Sequence, residues 1–243
     1  MLKIKETMKN TLFLILLTVV AFTFASCVDD TTAGYDRITH YPSVSLEGDT
    51  YVAMNMGDTY VEPGFSAVNG GADVSDLVQI VSTVDPTKPG IYTITYSVVN
   101  DEGNRASATR YVVVNDPAAD AAVGYFLTDP KSFRHVNSTG KEVSFGNAYL
   151  VHVSATSTPG VYAFDDLLAG WYAQRAGYGS KYAMVGAISL DDAGTMTLLE
   201  SSVEGWGDSA DGLISGTFSN GKYVYAIQYA SDYIWNVTLN KIE

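Results

Sequence analysis

The chain has 243 residues, a formal charge of −13, and 47% hydrophobic against 17% charged residues. That apolar content supports a buried core and excludes wholesale disorder. The excess of Asp and Glu excludes a nucleic-acid binder, because like charge repels a phosphate backbone. One Cys and three His exclude an internal disulfide and a multi-cysteine metal centre, so no metal and no cofactor is expected.

Lys3, Lys5 and Lys9 precede an uncharged stretch over 11–24 that carries Leu12, Phe13, Leu14, Ile15, Leu16, Leu17, Val19 and Val20. The stretch is shorter than the ~20 residues of a spanning helix and matches the core of a secretory signal. Ala25 and Ser26 follow, then Cys27. Phe24-Ala25-Ser26-Cys27 resembles the lipobox of bacterial lipoproteins, departing from it at Phe24, where Leu is commoner. The resemblance implies cleavage after residue 26, a diacylglyceryl group on the Cys27 thiol, and a tether over 27–41. An ordinary secretory signal beside a buried free Cys is the competing reading. Asp29 and Asp30 resemble the export signal of Bacteroidota surface lipoproteins, which implies a lipid-anchored protein of the outer membrane, exposed at the cell surface. Losing the basic leader leaves a still more acidic body. Such a body does not adhere to anionic headgroups by charge, so the acyl chains must hold it to the membrane.

Residues 42–116 read as short strands between turns, without a sustained helical period. Over 91–99, Tyr92, Ile94, Tyr96 and Val98 face one way and Thr93, Thr95 and Ser97 the other. Residues 100–104 form a hairpin loop and 105–114 return as the partner strand. Size and turn spacing fit a seven-strand sandwich, and Tyr92, just after Pro89-Gly90, sits where a tyrosine corner belongs. Ile94 stands where an antibody domain has its disulfide Cys, so a purely apolar core is expected. Gly57, Tyr60, Glu62, Pro63, Gly64, Val84, Asp85, Pro89, Gly90, Tyr92, Tyr96, Gly103, Asn104 and Arg110 together resemble a bacterial immunoglobulin-like repeat. That resemblance implies a spacer or interaction module. Asp101, Glu102 and Asn104 are read as turn residues, since calcium needs 6–8 oxygen ligands.

The small-residue run 117–122 reads as a linker, and 123–243 as a second β domain, which holds all three Trp. Strands are expected at 123–128, 148–155, 161–164, 182–190, 195–200, 212–218, 222–229 and 233–239. Asn220-Gly221 marks a two-residue hairpin, and 165–173 has room for one helical turn. The fold class is therefore all-β: an immunoglobulin-like β-sandwich followed by an antiparallel β-barrel or β-sandwich. Gly170-Trp171-Tyr172, Gly177-Tyr178-Gly179, Tyr182-Ala183-Met184, Gly205 to Ser209, Tyr225 to Tyr229 and Val237 to Leu239 resemble a β domain without an assigned activity that follows an immunoglobulin-like module in Bacteroidota lipoproteins.

Trp171, Tyr172, Tyr178, Tyr182, Trp206 and Asp208 are the candidate ligand-binding residues. Trp and Tyr faces stack on the C–H face of a sugar, and a flanking carboxylate binds hydroxyls. The six form one platform if their two loops converge. The competing reading is that these rings fill the core. That reading leads for Trp235 and Tyr182, which lie in strand patterns. Gly207-Asp208-Ser209 resembles the nucleophile block of Gly-Asp-Ser hydrolases. It stands late in the chain, however, and no His follows His152, so a base is lacking. His135 and His152 read as structural. The pairs Asp165-Asp166 and Asp191-Asp192 cannot each share one cleft, because adjacent strand residues point to opposite faces. Asp30-Thr31-Thr32 and Asp208-Ser209-Ala210 match a Bacteroidota O-glycosylation pattern at Thr31 and Ser209. The expectation is a non-catalytic surface lipoprotein that captures a glycan, with the immunoglobulin-like domain as spacer and outer-membrane proteins as neighbours. An adhesion or protein-assembly module is the alternative, and a hydrolase comes last.

Overall fold

Alternation of apolar and polar residues over short runs dictates strands, and the computed structural model, which describes residues 39–243, is built almost wholly of them. The leader, Cys27 and Thr31 lie outside the described residues. The first sandwich has seven strands: β1 (Ser43–Leu46), β2 (Tyr51–Asn55), β3 (Phe65–Asn69), β4 (Ala72–Asp73), β5 (Gln79–Ser82), β6 (Gly90–Val99) and β7 (Arg105–Asn115). One sheet is ordered β1-β3-β4 and the other β2-β7-β6-β5. Only β2 and β7 pair in parallel. Ile94, Tyr96 and Val98 are buried on the inner face of β6, as the alternation requires. The Tyr92 hydroxyl donates to the Lys88 carbonyl at 2.9 Å, closing the tyrosine corner.

The expectation of a purely apolar core fails in this domain. The Arg110 side chain is fully buried. Its guanidinium donates to the carbonyls of Glu47 (2.8 Å), Gly64 (2.9 Å) and Asp49, and pairs with Glu62 at 2.9 Å. Glu62 also accepts from the hydroxyls of Tyr60 (2.6 Å) and Tyr96, and from the Gly64 N–H at 3.0 Å. Burial works against the Glu62 carboxylate, but these hydrogen bonds and the Arg110 charge outweigh it and hold its pKa below the usual range. A buried cation survives only when paired and hydrogen-bonded. Here it does the work a disulfide does in an antibody domain, tying the strands to the loops around 47–49 and 62–64.

The second domain contains β8 (Gly124–Thr128), β9 (Phe133–Val136), β10 (Lys141–Ser144), β11 (Leu150–Ala155), β12 (Val161–Phe164), β13 (Met184–Leu190), β14 (Met196–Val203), β15 (Gly212–Ser219), β16 (Lys222–Tyr229) and β17 (Tyr233–Lys241). They form one antiparallel sheet in the order β10-β9-β17-β8-β11-β12-β13-β14, with β15 attached through β16 to β17. The sheet curls into a half-barrel. Its ends, β14 and β15, meet at the Thr195–Thr217 bridge and through the Phe218 N–H on the Gly194 carbonyl at 2.8 Å. The Asn220-Gly221 turn has both residues at positive φ, 48° and 66°, the two-residue geometry whose twist matches the flanking strands. Strands β9 and β10 were not foreseen, because Arg134, His135 and Lys141 break the apolar alternation there. The helical turn expected within 165–173 falls at its end, at Trp171–Arg175, and is π-helical; a 3₁₀ turn follows at Ser180–Tyr182.

The core beneath this sheet contains Phe126, Phe145, Leu167, Leu168, Met184, Tyr223, Tyr225 and Trp235. Its buried tyrosines are satisfied: Tyr223 donates to the Ala122 carbonyl at 2.8 Å and Tyr225 to that of Leu167 at 2.9 Å. The two domains meet where the Asn115 side-chain amide donates to the Ile242 carbonyl at 2.9 Å.

Replacing Arg110 with Met removes the cation that pairs with Glu62 and the donor it gives to three carbonyls. The expected loss is about 3–5 kcal/mol, read as a lowered urea midpoint of the immunoglobulin-like domain. An unchanged midpoint would show that the apolar strands alone hold the sandwich.

Candidate aromatic binding site

Two segments that follow strand ends come together on one side of the half-barrel. The first runs from β12 to β13 and is organised by Asp166, a fully buried carboxyl. It accepts from the N–H groups of Leu168 (2.9 Å), Gly170 (3.0 Å) and Met184 (3.1 Å), which fixes the entry to the π-helical turn. Wide turns of this kind concentrate at functional sites. The turn itself is held by the Arg175 N–H on the Gly170 carbonyl at 2.8 Å and the Ala176 N–H on that of Trp171 at 3.1 Å. The Tyr178 N–H then reaches the Tyr172 carbonyl at 3.1 Å, so the chain folds back and brings Tyr178 beside Tyr172.

The second segment follows β14. The N–H groups of Trp206 and Gly207 both point to the Val203 carbonyl, at 3.2 and 2.8 Å, and the Val203 N–H reaches the Asp208 carbonyl at 2.8 Å. Trp206 thus stands at the tip of a tight loop. Gly207 supplies the φ of +71° that the loop needs.

The segments are joined at Gly205. Its N–H donates to the Lys181 carbonyl at 2.7 Å, and the Tyr182 ring lies so close that a Cβ on Gly205 would fall 2.5 Å from it. Four rings then cluster. Trp206 meets Tyr172 at 4.7 Å between centroids, Tyr182 at 4.9 Å and Tyr178 at 6.3 Å, each near an edge-to-face angle. Tyr172 and Tyr178 stack at 6.1 Å. Tyr178 is 56% exposed and Trp206 43%, while Tyr172 and Tyr182 are half-buried. Beneath them, buried Tyr229 donates its hydroxyl to Asp208 at 2.8 Å. Burial and that bond raise the Tyr229 pKa well above its ordinary value, so the phenol stays a donor.

The structure therefore brings Tyr172, Tyr178, Tyr182, Trp206 and Asp208 together and leaves Trp171 out. Trp171 is 3% exposed and packs in the core against Phe145 at 4.9 Å and Trp235 at 6.1 Å. The Arg175 guanidinium covers its ring at 4.2 Å. Consecutive residues of the turn point differently, so Trp171 faces inward where Tyr172 reaches the surface. Trp235 is core, as its strand pattern implied. Tyr182 lies in a short 3₁₀ turn ahead of β13, and so its ring joins the cluster. Two contributors escaped the sequence: Tyr229, which orients Asp208, and Arg134. The Arg134 guanidinium lies 4.9 Å from the Trp171 ring centroid and 4.5 Å from that of Tyr233, and its charge acts on the Tyr172 hydroxyl. A cation on a polar-looking strand gave no sign that it would pack among rings.

Among the described residues, those considered for catalysis make the following contacts. His152 stacks on Tyr125 at 4.5 Å, and His135 lies 3.6 Å from Glu142. Asp165 accepts from the His152 backbone N–H at 2.9 Å while Asp166 faces the core, so the pair is divided as expected. Asp191 binds the N–H groups of Ala193 and Thr195 at 2.9 and 2.7 Å, a turn role. Ser209 is exposed beside the aromatic loop. Among the described residues, no three of His, Cys, Asp or Glu meet in an arrangement that could hold a metal ion.

An immunoglobulin-like sandwich followed by a half-barrel defines a class of two-domain, all-β protein. Residues 44–114 match the family of bacterial surface protein Ig-like domains, and residues 115–241 match that of BT2262-like C-terminal domains. The chain is 34% identical to the lipoprotein BT2262 of Bacteroides thetaiotaomicron, over 83% of this chain and 100% of that one, with a TM-score of 0.58. It belongs to the BT2262-like lipoprotein family. Two structures from Clostridium perfringens ZmpB also align. One is the M60 catalytic domain with CBM51-1 and CBM51-2, at 16% identity, TM-score 0.28, over 83% of this chain and 21% of that one. The other is CBM51-2 with GlcNAc and the INT domains, at 15% identity, TM-score 0.27, over 82% and 44%. Both likenesses are too slight to bear on fold or ligand. No curated protein matches the chain.

Two outcomes follow from the placement of these groups. Trp171→Ala should cost about 3–5 kcal/mol and Trp206→Ala less than about 1 kcal/mol in urea unfolding; equal costs would place both rings in one environment. Burial lifts the Asp166 pKa from 3.8 to about 7 against the pull of its three N–H donors. The folded state then binds more protons than the unfolded one between those values. Its contribution is full below about pH 4 and declines as pH rises towards 7. Asp166→Asn should remove that slope from the pH dependence of Tm, and a slope identical to wild type would contradict the assignment.

Proposed function

We propose that the protein is a non-catalytic glycan-capture lipoprotein, held at the outer membrane through Cys27, with the immunoglobulin-like domain as spacer and the rings of the second domain as the binding surface. The carrying observation is the cluster of Tyr172, Tyr178, Tyr182 and Trp206. It leaves Trp206 and Tyr178 exposed beside a hydrogen-bonded carboxylate. Large rings at a surface expose area that water disfavours. A sugar ring covers such area with its C–H face while its hydroxyls reach Asp208. Family membership supports the lipoprotein part of the reading, and the lipobox and the acidic residues behind it support anchoring and export.

One observation favours the alternative of a protein-assembly module. Strand β5 is a sheet edge whose four residues are all exposed, Ile80 at 51% and Val81 at 64%, with Leu77 at 64% just before it. Bare apolar edges invite pairing with another strand.

Affinity gel electrophoresis of the purified chain against a panel of plant, fungal and mucosal polysaccharides separates the two. Retardation by at least one polymer is expected, weakened at least about tenfold in Trp206→Ala or Tyr178→Ala with Tm unchanged. Retardation by none, or retardation indifferent to both substitutions, would overturn the glycan reading and leave β5 as the surface to pursue.

A further inference from the structure

The charges around the aromatic cluster decide which glycans it takes. Asp208 lies two residues beyond Trp206, and its Oδ1 is held by the Tyr229 hydroxyl at 2.8 Å. One oxygen is thus fixed by the protein and the other remains to accept from a ligand hydroxyl. Asp211 follows on the same loop and accepts from the Ser231 N–H at 2.6 Å. Glu204 precedes Trp206, with a side chain 76% exposed. Of the cations nearby, Lys181 stands 4.0 Å from Glu204, Arg175 covers Trp171 and donates to the Phe145 carbonyl at 3.2 Å, and Arg134 is packed among Trp171, Tyr233 and Tyr172. Arg175 and Arg134 lie on aromatic rings, which leaves Lys181, 72% exposed, as one cation among three carboxylates beside the exposed Trp.

We infer that the Trp206–Asp208 loop selects neutral sugar rings and rejects uronate and sulfated ones. The inference rests on the glycan reading of the same rings. Hydroxyls can donate to Asp208, whereas a ligand carboxylate or sulfate faces three carboxylates that the single exposed cation, Lys181, does not balance. At a partly exposed site a repulsion of this kind amounts to about a tenfold loss of affinity at low salt and shrinks as salt screens it.

The test uses the purified full chain in detergent and polysaccharide pairs that differ at C6, namely β-mannan against β-mannuronan and galactan against polygalacturonan. At low salt the neutral member of a pair should bind at least about tenfold more tightly than its uronate counterpart. Asp208→Asn should narrow that gap by strengthening uronate binding relative to neutral, as should 0.5 M salt. Trp206→Ala should abolish binding of the neutral polymer. A uronate polymer that binds as well as its neutral partner, through Trp206, overturns the selectivity and leaves the glycan platform standing. If neither member of either pair binds, the selectivity falls for these backbones. If the wider panel is also silent, the platform falls with it.

Discussion

A glycine without a side chain is the constraint on which the exposed aromatic cluster depends. At Gly205 the Tyr182 ring rests on the backbone and the N–H meets the Lys181 carbonyl at 2.7 Å. Any Cβ there would push the ring away and part the loops that carry Tyr178 and Trp206. Because they are pinned, rings from two distant parts of the chain meet edge to face, and the arrangement costs no ordering when a ligand arrives. The rings also continue downward. Trp206 touches Tyr172, Tyr172 lies 5.8 Å from Trp235, and Trp235 packs on Trp171. The exposed cluster is the top of the hydrophobic core rather than an appendage to it.

Buried polar groups fix both domains in the same manner. Arg110 gathers three carbonyls and Glu62 in the first, and Asp166 gathers three N–H groups in the second. Each sits where irregular backbone must be held against the core, and each satisfies groups that would otherwise be buried without partners. Apolar packing supplies most of the stability, and these two residues decide which loop conformation it stabilises. In the second domain the segment that Asp166 organises leads directly into Tyr172 and Tyr178.

Much of this was legible in the sequence, for identifiable reasons. Strands with clean alternation between turn signals, such as β12 and β16, fall where the pattern put them. Tyr92 behind Pro89-Gly90 announced its corner. Strands β9 and β10 did not, because charged and polar residues dominate them and their register comes from β17. The buried ion pair was hidden for a different reason: Arg110 and Glu62 are far apart in sequence, and nothing local says that a cation will point inward. In the aromatic cluster, loop glycines marked Tyr178 and Trp206, and both rings are exposed. Trp171 and Tyr172 are neighbours with the same local signal, and only the π-helical turn, a product of tertiary packing, sends one into the core and the other to the surface.

The membership of this chain in a lipoprotein family accords with its acidic, disulfide-free, strand-built body, which needs an anchor to stay at a surface. The central claim is that its loops display Trp206 and Tyr178 while the remaining tryptophans are sealed beneath them. Hydroxyl-radical footprinting read by mass spectrometry tests this directly. Fast labelling of Trp206 and Tyr178 with slow labelling of Trp171 and Trp235 is the predicted result. Labelling of Trp206 as slow as that of Trp235, or of Trp171 as fast as that of Trp206, would contradict it.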